Sequence, residues 1–255
     1  MGETIETMTG LTAHGSSTSE TTTDTTSAGA TTGQEGECTD AAPLLLNGEC
    51  YALNDVRLVF VTAGVFQGSM DSPDKMCANA ANGKLAYPEN FEAWATLGNE
   101  PPADRFDTSF AGPYVKLNPE DDPNVDSDAV VLVAMGWTGL TTKELLSAID
   151  VTETGIAITE GYAWTAVKMN GSTSKLHNCG EWSSSNSEEL LWPICEEKVS
   201  DYGSVGKVGD TLSSWSYTPE FGCNDTPPCC HGLKLWGSWT VECDKAHHLY
   251  CIQDK

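Results

Sequence analysis

The chain has 255 residues, enough for one large domain or two small ones, with a formal net charge of −24 and a pI near 4.2. That charge argues against nucleic acid and anionic membrane as partners, and it suits solubility in a salty exterior. No run of 18 apolar residues occurs, so no transmembrane helix is expected.

Residues 1–37 are dominated by Thr, Ser, Gly, Ala and acid, with no aromatic residue and no Lys or Arg. Such a segment buries too little apolar surface to offset its ordering entropy. It reads as a disordered Thr/Ser-rich stalk, with a reach on the order of 30 Å for ~35 residues. Deleting it is expected to leave the thermal midpoint of the remainder unchanged in a calorimetric scan. A clear drop would show that the segment packs on the domain. The start, Met1 to Glu6, is acidic and polar and carries no signal peptide. Glu6 also breaks the myristoylation pattern.

A single domain is expected over residues 38–255. Cys38 and Cys50 bracket a short apolar patch, Ala41 to Leu46, followed by Asn47-Gly48 as a turn signal. Their closeness suggests a local disulfide. Leu58 to Thr62 reads as a buried strand. Ser72 is placed to cap a helix, with Pro73 at its first position, Asp74 in its first turn and Gly83 as its stop. Phe91 to Ala95 reads as a short strand with Trp94 inward. Gly112 to Leu117 and Ala129 to Ala134 read as two more strands, separated by an acidic loop, Asn118 to Asp128. Thr141 with Glu144 forms a capping box, which predicts a second short helix ending near Ala148. Gly161 to Val167 alternates as a strand, and Cys179 to Ser185 reads as a cysteine–tryptophan corner. Residues 186–236 form an irregular insertion rich in Cys and Trp. At the end, Val241, Leu249 and Ile252 are strand formers around Cys243 and Cys251, and Asp244 to His248 reads as a hairpin loop. Two short helices among many short strands predict an α+β fold.

The ten cysteines are an even number without a repeated Cys-x-x-Cys pair, and Cys229-Cys230 is the one close pair. This pattern predicts an oxidised, extracytoplasmic protein with up to five disulfides. The leader is therefore expected to lie upstream of Met1.

The order of signals resembles the bacterial domains of unknown function related to endostatin and the C-type-lectin-like fold, a family well represented in spirochaete outer-surface lipoproteins. The residues that carry it are Val59 to Thr62 with Phe66-Gln67-Gly68, then Asp74, Cys77, Ala80 and Ala81. Ala93-Trp94, Arg105 and Pro113-Tyr114-Val115 follow. Next come Thr152-Glu153 with Gly155, Ala163-Trp164-Thr165, Cys179 with Trp182, Cys243, and Leu249-Tyr250-Cys251. The resemblance spans about residues 55–252. It implies a twisted, mostly antiparallel sheet with two short helices and long loops. It also implies two nested disulfides, Cys77–Cys251 outside and Cys179–Cys243 inside. Trp94, Trp137, Trp164, Trp182 and Trp239 lie at or near family positions and are expected in the core. The insertion adds Cys195, Cys223, Cys229 and Cys230, which allow three pairings.

Several constellations bear on function. The lectin signature Trp-Asn-Asp is absent, and Asn99 to Pro102 only echoes a sugar-binding motif. Asp122, Asn124, Asp126 and Asp128 place oxygens at alternate positions, which makes them candidate ligands for Ca²⁺. Ser127 and Val133 stand where an EF-hand needs Gly and Glu, so that motif is excluded. His177, His231, His247 and His248 lie near cysteines, but pairing of those cysteines in an oxidising compartment competes with zinc. No nucleophile elbow, zinc-protease helix, P-loop or dinucleotide fingerprint appears, and no catalytic residue is assigned. Trp192, Trp215, Tyr217 and Phe221 in the insertion are candidate ligand-binding residues, since aromatic side chains on loops are typical binding anchors. The alternative for them is a small core around the additional disulfides.

The expectation is a non-enzymatic, adhesion-type module at the cell surface that recognises an extracellular protein or glycan through long loops. No cofactor beyond a candidate Ca²⁺ is expected, and a lipid anchor is expected upstream. The alternatives are a secreted hydrolase acting on surface glycans or peptides, and a structural surface protein without a specific ligand.

Overall fold

The structure, a computed structural model, describes residues 38–39, 41–42, 44–119, 130–142, 144–168, 170–173, 178–185, 202–212, 215 and 240–254. The chain divides into two compact units, Met1–Asp55 and Val56–Lys255. The Cys38–Cys50 segment belongs to the first of these units.

In the first unit, β1 (Leu44–Leu46) pairs antiparallel with β2 (Glu49–Tyr51). Asn47 and Gly48 both have positive φ, which gives the tight turn a two-residue hairpin needs. The Cys38–Cys50 disulfide closes this segment.

The second unit starts with β3 (Arg57–Val61) and α1 (Pro73–Ala81). The Ser72 side chain accepts from the Lys75 amide, Pro73 sits at the first helical position, and the helix buries Cys77 and Ala81. Then come β4 (Phe91–Ala93), the single turn α2 (Pro102–Arg105), β5 (Pro113–Leu117) and β6 (Val130–Met135). They are followed by α3 (Gly136–Thr142), β7 (Tyr162–Trp164), the single turn α4 (Cys179–Trp182), β8 (Tyr202–Lys207), β9 (Thr240–Glu242) and β10 (His248–Gln253). All four residues of α4 have positive φ, from 51 to 62°. Left-handed backbone costs about 1–2 kcal/mol per non-glycine residue. Burial of Trp182 and the bond from Cys179 to Cys243 hold the turn in place.

The sheet has the order β6-β5-β3-β10-β7-β8-β9, with β4 also on β10. β3 with β5 and β7 with β10 are parallel; the other pairings in this sheet are antiparallel. The combination of a sheet core with few short helices is mixed α and β. β10 is central: β3 lies on one side, and β7 then β4 lie along the other. Alternation along the strands feeds two cores. Val59, Val61, Tyr250 and Ile252 join Trp94, Tyr114, Ile149 and Trp215 in one. Phe60, Leu249 and Cys251 join Cys77, Phe91, Trp164 and Trp182 in the other. A strand buried on both faces reads as a continuous apolar run, as Leu58 to Val61 does.

Three expectations are corrected. The last two strands are not a hairpin, because β9 pairs with β8 while β10 inserts between β3 and β7. The predicted helix from Thr141 to Ala148 is absent. Thr141 instead lies in the last turn of α3, and its hydroxyl donates to the Trp137 carbonyl one turn back rather than capping a new helix. Beyond it, the Leu145 and Leu146 amides bond to Thr211 and Val133 carbonyls, so tertiary pairing overrides the local signal. Finally, the described residues hold four short α-helices where two were expected. No helix among the described residues is long and apolar enough to cross a membrane.

Among the described residues three disulfides are formed: Cys38–Cys50, Cys77–Cys251 and Cys179–Cys243. The last two are the nested pair that the resemblance implies. Bonds of this kind belong to a chain that folds in an oxidising environment. Cys195, Cys223, Cys229 and Cys230 lie outside the described residues.

Candidate functional site

The residues that carry the resemblance prove to be joints between elements. The buried Arg105 guanidinium donates to the Ala95 carbonyl at 2.7 Å and pairs with Asp74 at 2.8 Å and Glu92 at 3.3 Å. Asp74 also accepts from the Ala93 amide, so one carboxylate ties α1 to both β4 and α2. Burial raises the Glu92 pKa, while the neighbouring Arg105 charge pulls it back down. The Glu153 side chain, 3% exposed, accepts from the Ala63 amide and from Lys84 Nζ. Thr62 Oγ1 accepts from the Leu249 amide and donates to the Gly64 carbonyl. The indole nitrogens of Trp164 and Trp182 donate to the Phe66 and Thr96 carbonyls, each at 2.7 Å. Gly68 and Gly203 both lie against the sulfur of Cys179. A Cβ would stand 2.3 Å from it at Gly68 and 2.8 Å at Gly203, so neither position has room for a side chain.

Two further cations are spent in the same way. Arg57 pairs with Asp107 and Asp254 under the ring of Phe110, and Lys116 pairs with Asp150. Hydrogen bonds from Ser109 lower the pKa of the exposed Asp107 carboxyl, with Arg57 adding to the effect. Fixing these charges is a structural role.

Strand directions place the long connections. β3, β5 and β8 end at one edge of the sheet, and β6, β7, β9 and β10 begin there. Two residues suffice to connect antiparallel neighbours. Here β5 and β6 are joined by residues 118–129, and β8 and β9 by residues 208–239. Both long connections therefore leave from and return to the same edge. Val65 and Ile156, in other connections at that edge, are exposed. Leu146 and Leu212 are 65% and 55% exposed, and each sits one residue beyond the hydrogen bond that joins Leu145 to Thr211. The sequence reading missed these four aliphatic residues, because isolated apolar residues in loops carry no periodic signal.

The expected anchor residues divide. Trp215 is fully buried, with its ring 5.3 Å from Trp94 and 5.6 Å from Tyr250. It cannot present its ring to a partner, and its assignment as a binding anchor is corrected: it plugs the core at the root of the long connection. Trp192, Tyr217 and Phe221 lie outside the described residues, as do the candidate calcium ligands Asp122, Asn124, Asp126 and Asp128. Among the described residues no group of three or more His, Cys, Asp or Glu is placed to hold a metal. Of the tryptophans expected in the core, Trp94, Trp164 and Trp182 are buried and Trp137 packs against the first core. Trp239 lies outside the described residues.

Comparison with models of known protein families and with curated proteins finds no match.

Proposed function

We propose that the second unit is a non-enzymatic extracellular binding module with an endostatin-like, C-type-lectin-like frame. It is carried at the cell surface on the Thr/Ser-rich segment and takes a protein or glycan partner on its long-loop edge. The observation that supports this reading is that both long connections, 118–129 and 208–239, leave from and return to the same end of the sheet, with Leu212 exposed near the start of the longer one. A frame whose charged motif residues are committed to holding elements together is free to vary its loops. Trp192, Tyr217 and Phe221 are the remaining candidate anchors in the longer insertion.

A glycan and matrix-protein array, run with calcium and with chelator, tests the proposal. One class of ligand should bind, and Leu146→Asp with Leu212→Asp should weaken it about tenfold or more, a loss of about 1.4 kcal/mol, at an unchanged thermal midpoint. Loss of binding in chelator would assign the metal to the acidic connection. Binding that ignores both substitutions, or an array without a hit, would overturn the loop-edge reading.

A further inference from the structure

The connection that follows β3 is clipped to the one that precedes β10. The Phe66 amide donates to the His247 carbonyl and the His247 amide to the Phe66 carbonyl, at 2.7 and 2.9 Å. The Gly68 amide donates to the Cys243 carbonyl at 2.7 Å, and the Gln67 side chain to the Asp244 carbonyl at 2.9 Å. The indole of Trp164 closes the clip from below through the Phe66 carbonyl. At its centre lies the imidazole of His247, edge-on to Trp164 at 4.7 Å and to Tyr162 at 5.9 Å. Its Nε2 is shut off from solvent and has no hydrogen-bond partner among the described residues. The clip also covers the Cys179–Cys243 disulfide, since the backbone of Gly68 lies directly on its sulfur.

We propose that His247 is an acid-sensitive latch whose protonation releases residues 64–68 from the sheet and uncovers the Cys179–Cys243 disulfide.

The charged form of this half-buried ring carries an N–H at Nε2 whichever nitrogen takes the second proton, and Nε2 has neither solvent nor an acceptor among the described residues. Burial accordingly pushes the His247 pKa down to about 4, and the charge of adjacent His248 adds to this. The groups that face the ring give little relief. Asp244, on the same connection, is paired with Lys245. From β7 comes the ring of Tyr162, whose cross-strand neighbour is Lys207, a further positive charge. The connection after β3 contributes Phe66 and the neutral Gln67. His248 itself holds the Thr62 carbonyl through Nδ1 at 2.7 Å.

The sign follows from linkage. A histidine with a depressed pKa when clipped binds its proton preferentially when released, so the clip is stable above the ordinary pKa near 6.5 and weakens as pH falls toward 4. The released fraction should rise about tenfold or more between pH 7 and pH 5.

Reduction by a trialkylphosphine reads this directly, because the phosphine is oxidised to its oxide as each disulfide becomes two thiols, and Cys77–Cys251 serves as an internal reference. Alkylation and mass spectrometry of the full chain should show Cys179–Cys243 reduced about tenfold faster or more at pH 5 than at pH 7, relative to Cys77–Cys251. His247→Phe should flatten the profile. His247→Gln, which keeps a polar neutral side chain, serves should the first variant not fold. Three results would each overturn the latch: both bridges accelerating together, neither accelerating, or the variants keeping the native profile.

Discussion

Trp215→Ala is expected to cost about 3–5 kcal/mol of stability, the range for emptying a large aromatic from a packed core. Trp215 is fully buried among Trp94, Tyr250 and the aliphatic residues of the first core, so its removal leaves a void lined by rigid rings. Trp215→Phe should cost much less. The indole nitrogen has no hydrogen-bond partner among the described residues, so phenylalanine removes an unpaired buried donor along with part of the ring. Urea unfolding checks both variants: the midpoint should fall steeply for alanine and modestly for phenylalanine, with the slope retained. A loss below about 1 kcal/mol for alanine would return Trp215 to the surface and to the list of binding anchors.

Removing the Cys77–Cys251 bridge by Cys77→Ala with Cys251→Ala is expected to cost about 5 kcal/mol from loop closure over a separation of 174 residues, less whatever strain the native bond carries. Both sulfurs are buried in the second core, between α1 and the central strand β10, so the void left behind adds to the loss. The same double substitution at Cys38 and Cys50 spans 12 residues within the other unit, and should leave the midpoint of the second unit unchanged. Thermal unfolding followed by tryptophan fluorescence separates the two, since every tryptophan lies after residue 55. Equal shifts for both pairs would contradict the division of the chain at Asp55.

Much of the frame was written in local chemistry. Ser72, Pro73 and Asp74 start α1 because a side-chain acceptor, a fixed φ and a negative charge each suit a helix N-terminus. Asn47-Gly48 turns β1 into β2 because those residues tolerate the left-handed backbone the turn needs. The apolar run at β3 marked a strand buried on both faces. The resemblance supplied the two nested disulfides, which spacing alone would have left among many pairings.

Tertiary structure decided what depends on partners distant in sequence. Asp244 to His248 looks like a hairpin loop locally, yet β10 has three better-matched neighbours in β3, β4 and β7, and β9 falls to β8. Thr141 and Glu144 spell a capping box, but the amides beyond them are claimed by Val133 and Thr211. Trp215 has the composition of a binding loop around it and the surroundings of a core residue, because aromatic side chains suit both and only packing tells them apart. Arg105, Glu153 and Thr62 stand in the sequence only as matches to a family pattern, and their roles appear once the fold brings carbonyls, amides and opposite charges to them from elsewhere in the chain. Residue type and spacing set the local backbone; burial and pairing, which arise only once the chain has closed on itself, set which of those residues hold the frame and which stay exposed.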